Sequence, residues 1–174
     1  MKQRNFFFIV FASIMLSACT SMMRSDLSVQ SEVVEHSYVQ KTGGRLVEDG
    51  SRVTDLLNIG YDVDVIESNT WKVPNVLGNG FLLAVKFSRI PADISSFDLK
   101  VSFPEMTLPS GEKRSTVNRE IDLTGHNGEY MWVFDFYFDF AYETNPGPWN
   151  LQVFSGDYKI HSSTFHVIEN REKL

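Results

Sequence analysis

The residues able to do chemistry are few, and their spacing limits what each can join. His161 and His166 lie five apart in a segment that alternates like a β-strand. An odd separation points them to opposite faces, so they cannot share a metal ion. His126 stands in the turn-forming Gly125-His126-Asn127-Gly128, and His36 in a polar N-terminal region. Asp62 and Asp64 share a strand face at about 7 Å. Calcium takes about six to eight oxygens, and no loop of Asp, Asn and Gly supplies the remainder. Asp135 and Asp139 also share a face, but four residues of strand span about 13 Å, beyond the carboxylate separations of glycosidases unless the strand bends. They read as charges that keep a very aromatic strand soluble and discourage edge pairing.

Short motifs carry little. Ser110-Gly111-Glu112-Lys113 and Lys41-Thr42-Gly43 satisfy two patterns of penicillin-recognising enzymes. The order is reversed, and Ser110 sits in a Pro-Gly turn where those enzymes need a helix start. Gly-x-Ser-x-Gly, a phosphate-binding glycine loop and His-Glu-x-x-His are all absent from the sequence. Lys113, Arg114 and Arg119 form the one basic cluster, flanked by Glu112 and Glu120, and read as a mixed-charge strand face. Nucleophilic catalysis needs a base within hydrogen-bond reach of the nucleophile, and no local pair provides one. The sequence therefore predicts no catalytic residue, no metal and no cofactor.

The single thiol, Cys19, follows a leader. Lys2 and Arg4 precede an apolar run of eleven residues from Phe6 to Leu16, and small residues follow. That order is a secretory signal peptide. The run is too short for a membrane-spanning helix, which needs about 18 residues. Leu16-Ser17-Ala18-Cys19 resembles the lipobox of bacterial lipoproteins. The resemblance implies cleavage after residue 18, a diacylglyceryl thioether on Cys19 and acylation, for instance by palmitate, of the new N-terminus. Thr20 and Ser21 follow where inner-membrane lipoproteins carry aspartate, which implies sorting to the outer membrane; the periplasm is the default side, and the sequence does not choose between it and the cell surface. Loss of Lys2 and Arg4 from the 16 basic residues leaves 14 against 22 acidic ones, a formal −8. An acidic body is not drawn to anionic lipid, so the lipid alone anchors it. The same balance argues against nucleic acid as a partner.

The elements that must position these residues are strands. Residues 19–52 are rich in Ser, Thr, Gly and charge and read as a lipidated N-terminus and tether. Val33 to Val39, Gly43-Gly44 and Leu46-Val47 allow a short hairpin there. From Val53 the period is two. Ile59, Tyr61, Val63 and Val65 alternate, Phe81 to Phe87 is an apolar run of strand length, and Phe97, Leu99, Val101 and Phe103 alternate again. Arg114 to Leu123 follows. Tyr130, Trp132, Phe134, Phe136, Phe138, Phe140 and Tyr142 share one parity over thirteen residues, too long for a compact strand, so a bend or bulge is expected near Phe138 to Phe140. Asn145-Pro146-Gly147-Pro148 is a turn, and Ser155-Gly156-Asp157 closes a terminal hairpin. Residues 53–174 thus read as an all-β, immunoglobulin-like antiparallel β-sandwich of about seven strands, with a closed barrel as the alternative.

The stretch Trp71-Lys72-Val73-Pro74 through Gly78 to Phe81, the Ser102-Phe103-Pro104 ending, and Asn145 to Leu151 before Phe165-His166-Val167 resemble a bacterial domain of unknown function, number 3859. The likeness runs from about Ile59 to Ile168 and rests on packing and turn residues, so it implies a fold and no activity. The functional expectation is a lipid-anchored, non-enzymatic envelope module that binds protein or supports an envelope assembly, with an envelope protein as partner. The rival is a small-ligand or glycan-binding module whose exposed aromatics would include Tyr137, Tyr142 and Tyr158. An envelope hydrolase with residues gathered from several loops is the third reading. Trp132 and Trp149 are expected in the core.

Overall fold

The computed structural model describes residues 29–50 and 52–170. Nine strands lie among them. They are β1 (Gln30–Glu48), β2 (Leu56–Ser68), β3 (Lys72–Pro74), β4 (Asn79–Ser88), β5 (Ser96–Thr107), β6 (Lys113–Asp122), β7 (Glu129–Tyr137), β8 (Gly147–Ser155) and β9 (Tyr158–Ile168). One sheet has the order β2-β1-β4-β7 and the other β3-β9-β8-β5-β6. All pairings are antiparallel except β3 with β9. This is a sandwich and not a barrel.

The period-two pattern explains the packing. Phe81, Leu83, Val85 and Phe87 of β4 face Phe97, Leu99 and Val101 of β5, Trp149, Leu151 and Val153 of β8, and Phe165 and Val167 of β9, all buried. Phe81 lies at the centre of an aromatic cluster, 4.5 Å from Phe165 and 5.4 Å from Trp149 between ring centroids. Trp132 and Trp149 are both in this core. Beside Phe81, Gly80 lets β4 approach β7. A Cβ there would stand 1.9 Å from the Phe136 carbonyl oxygen, so no other residue fits without moving the backbone.

The long aromatic segment behaves as its length requires. β7 ends at Tyr137, Phe138 donates its amide to the Asn79 carbonyl, and a short 3₁₀ turn follows at Ala141–Glu143. The β8–β9 connection is the expected tight hairpin, with Ser155 paired to Tyr158 and Gly156 at φ 57°.

The region read as tether is different. From Gln30 it is strand, so the sandwich starts about two dozen residues before Val53, and no hairpin forms within it. β1 pairs with β4 through Gln30–Gln40 and with β2 through Ser37–Glu48. Its composition is polar because its outer half has only β2 as a strand neighbour. Residues 41–48 and 56–63 form a two-stranded arm whose faces reach past the core, and such strands need few apolar side chains. Register with β4 fixed Val33 against Val85 and Tyr38 against Phe81; tertiary pairing, not local pattern, makes this strand.

Candidate functional site

The arm curls over the outer side of β7 and docks on β6, the edge of the opposite sheet. Its tip, the loop between β1 and β2, is clamped by Arg114. That guanidinium donates to both Asp55 carboxylate oxygens at 2.9 and 3.1 Å, to the Val53 carbonyl at 3.1 Å and to Glu112 at 2.9 and 3.0 Å. Asp55 itself has φ 60°, a left-handed backbone conformation that Asp tolerates better than most residues. Further along the arm, Lys41 donates to Asp139 and, at 2.5 Å, to Asn58, which in turn donates to Asp139 at 2.7 Å. Tyr61 donates to Asp135, and its ring meets Tyr137 edge-on at 5.3 Å.

Asp135 and Asp139 are therefore docking points for the arm. The sequence reading of them as solubilising charges is corrected: the arm covers the face on which they stand. Its cover also buries Tyr137, which is 4% exposed. Tyr137 cannot belong to an exposed aromatic surface. Tyr142 is half-buried and stacks on Phe140 at 5.3 Å, and Tyr158 is exposed at the β8–β9 turn. The three tyrosines make no common platform.

Between the arm, β7, β6 and the 3₁₀ turn lies a pocket of about 60 Å³. Arg52, Asn58, Tyr61, Arg119, Asp135 and Tyr137 line it, with Glu143 at its inner end. Arg119 projects to the same side of β6 as buried Ile121, which places it under the arm rather than on a solvated strand face. Its guanidinium makes no hydrogen bond or ion pair among the described residues. Desolvation and the neighbouring Arg52 both pull its pKa down, with Asp49 and Asp135 pulling the other way. The Tyr137 hydroxyl is also buried without a well-aligned partner. Burial, then the nearby Asp135 charge, hold its proton on. Tyr61 is pushed up in the same way, by burial and by its bond to Asp135. Glu143 is 2% exposed, and burial pushes its carboxyl up to about 7. One of its oxygens accepts the amides of Asp139 at 2.5 Å and Phe140 at 2.8 Å.

The histidines divide by environment. His126 holds its turn, with Nε2 2.9 Å from the Ile94 carbonyl oxygen and Nδ1 accepting from the Gly128 amide at 3.0 Å. His36 stacks on Trp71 at 4.0 Å, and His166 is exposed. His161 is buried, with Nε2 2.8 Å from Ser163 Oγ and Nδ1 3.2 Å from Ser31 Oγ. Sequence reasoning missed this Ser–His contact, although an i,i+2 spacing on a strand signals it. Ser31 donates its proton to the Ile160 carbonyl at 2.9 Å, so it has none for the imidazole, and no carboxylate contacts the ring. Burial lowers the His161 pKa. The pair satisfies buried polar groups between β1 and β9.

Asp62 and Asp64 are exposed on β2, and no group of three potential metal ligands occurs among the described residues. Ser110 accepts the Glu112 amide within its own turn, and Lys113 pairs with Glu105. Leu16, Ser17, Ala18 and Cys19 lie outside the described residues. No described helix is long and apolar enough to cross a membrane.

The second notable surface is β2 itself. It ends its sheet, and no described strand pairs with its outer edge. From Asp62 onward every residue is exposed, including Val63, Val65 and Ile66 at 37, 56 and 48%.

Two packed sheets with this strand order define an immunoglobulin-like β-sandwich. The chain is similar to an immunoglobulin-like protein from Pseudomonas aeruginosa, with a TM-score of 0.53 and 18% identity over 80% of this chain and 96% of that one. At that identity the likeness speaks for the fold alone. The chain belongs to the family described as Domain of unknown function (DUF3859), whose model matches residues 47–167. The match starts at the tip of the arm and so includes β2. No protein of curated function matches the chain.

Proposed function

We propose that this protein is a lipid-anchored, non-enzymatic binding module of the cell envelope that takes a strand of a partner protein onto the outer edge of β2. The observation that carries the reading is that edge. It has thirteen residues, no described strand beside it and three exposed aliphatic side chains. Sandwich proteins usually blunt such an edge with charge, Lys above all, with Pro or with a short strand; β2 contains neither Lys nor Pro, and its charges are all acidic. Added-strand recognition draws affinity from backbone hydrogen bonds and specificity from alternating side chains.

The charges select the occupant. Asp62, Asp64 and Glu67 are exposed beside Val63, Val65 and Ile66. A second copy pairing antiparallel about Asp64 and Val65 sets Asp62 opposite Glu67, a like-charge contact that disfavours self-association. An extended segment alternating basic and apolar residues fits. Exposed aliphatics, with Tyr158 and Phe140 as the exposed large aromatics among the described residues, suit protein contact better than sugar stacking.

The leader supports the address. With β1 starting at Gln30, ten residues separate Cys19 from the sandwich, a span of at most about 35 Å when fully extended. The partner strand is then presented close to the membrane that holds the lipid. A Cys19→Ser chain should lose labelled fatty acid and leave the outer-membrane fraction; retention of both would refute the anchor. For the edge, a photo-crosslinking residue at Val65 in intact cells should give one discrete protein adduct, abolished by Val63→Lys. Adducts equally strong from a probe at Tyr158 would refute the docking edge.

A further inference from the structure

The pocket beneath the arm meets β2 at Leu56, Leu57, Asn58 and Tyr61, short of the exposed stretch from Asp62 to Ser68. We propose that it is a binding site for the carboxylate group of a small organic ligand, with Arg119 as its charged anchor.

Three observations meet there. The first is an arginine without a partner. Arg114, a few residues away on the same strand, has its carboxylates, Asp55 and Glu112. Lys41 has Asp139, and Arg52 has Asp49 at 2.9 Å. Arg119 has no such contact although it is half-buried; Arg52 repels it, and Asp49 and Asp135 attract it without reaching ion-pair distance. A half-buried guanidinium with no protein acceptor leaves its donor fork available to a ligand. An anion beside it engages that fork and offsets the repulsion from Arg52.

The second is the Tyr137 hydroxyl, buried on the wall of the same pocket beside the Asp135 carboxylate and the Tyr61 hydroxyl, with no well-aligned bond to either. Its proton is held on, so it is a donor. The Tyr61 hydroxyl, committed to Asp135, marks the limit of donors on that side. The third is size. A cavity of this volume holds several waters, each needing about 10–15 Å³ of it, and so admits a carboxylate head. The planar guanidinium fork matches a carboxylate. A phosphate dianion would meet more repulsion from Asp135 and Asp139, which line the pocket.

The test uses the full chain in detergent, followed by NMR on the Arg119 Nε–H and the amides of Asn58 and Tyr137, titrated with acetate, acetamide, inorganic phosphate and chloride. Acetate should give a saturable response confined to the pocket, and acetamide none. Arg119→Gln should weaken acetate by roughly tenfold or more, while thermal unfolding without ligand stays level or rises, because a half-buried charge with no ion-pair partner has been removed. Arg119→Lys, which keeps charge but loses the fork, should fall between. Non-saturating shifts spread over the surface, saturation by chloride or phosphate equal to that by acetate, or full acetate binding by a folded Arg119→Gln chain would each overturn the proposal.

Discussion

Replacing Glu143 by Gln should make the protein more stable at neutral and alkaline pH and leave it unchanged in acid. Glu143 is 2% exposed, and both backbone bonds, from Asp139 and Phe140, reach the same oxygen. That geometry suits a protonated acid or an amide, each of which presents one carbonyl oxygen. Burial is the dominant influence and raises the carboxyl from 4.5 to about 7, with the Asp139 charge adding to it and the two amides and the Thr54 hydroxyl opposing. The folded chain thus holds this proton more tightly than the unfolded chain does. The associated stability is fully present below about pH 4.5 and is lost as pH rises through about 7. A rise of that size corresponds to about 3 kcal/mol. His161 changes in an overlapping range with the opposite sign. Its lowered value contributes stability above its unfolded value near 6.5, lost as pH falls below it. The difference between wild type and Glu143→Gln cancels that contribution. Denaturant unfolding at about pH 4 and about pH 8 provides it. The two proteins should coincide in acid, and the variant should be ahead by up to about 3 kcal/mol in base. A variant that is less stable at the higher pH would show an ionised carboxylate held by the amides, and would refute the reasoning.

Arg114→Ala should cost about 2 kcal/mol, the scale of charged hydrogen bonds, and should be strongly non-additive with Asp55→Ala in a double-mutant cycle; additive losses would mean that the clamp does not couple the arm to β6. Gly80→Ala should cost about 3 kcal/mol or more, because its Cβ meets the Phe136 carbonyl oxygen at 1.9 Å, and an unchanged unfolding midpoint would contradict the β4–β7 contact. Trp149→Ala should cost about 3–5 kcal/mol, read by the same denaturation; a loss under about 1 kcal/mol would place the ring outside the core.

Much of the sandwich was legible because its strands bury one face and alternate accordingly. Phe97 to Phe103, Trp149 to Val153 and the Gly156 hairpin all follow from period and turn chemistry. The excessive length of the Tyr130–Tyr142 stripe foretold the break after Tyr137. β1 was not legible. Between β2 and β4 its partners decide its conformation, and its outer half lies where no core demands apolar side chains, so Ser, Thr, Gln and Gly there look like tether. Once the arm was hidden, everything it positions was hidden too. Asp135 and Asp139 looked like solvated charges, Tyr137 like a surface ring, and Arg119 like one member of a basic cluster. One signal was available: Arg119 has the parity of Val117 and Ile121, the apolar positions of its strand. The β2 edge was half visible. The Asp–Val alternation was plain, but local pattern does not say whether a strand ends its sheet.

The most direct test of the docking account is hydrogen exchange at the β2 backbone. Amide exchange is to be compared between the purified full chain and the same chain in its native membranes, where a partner strand would bond the outer-edge amides. Amides between Asp62 and Glu67 that face away from β1 should slow in the membranes, while Gly156 in the β8–β9 turn exchanges alike in both. Equal exchange along β2 in the two states, or slowing shared by Gly156, would contradict strand addition at this edge.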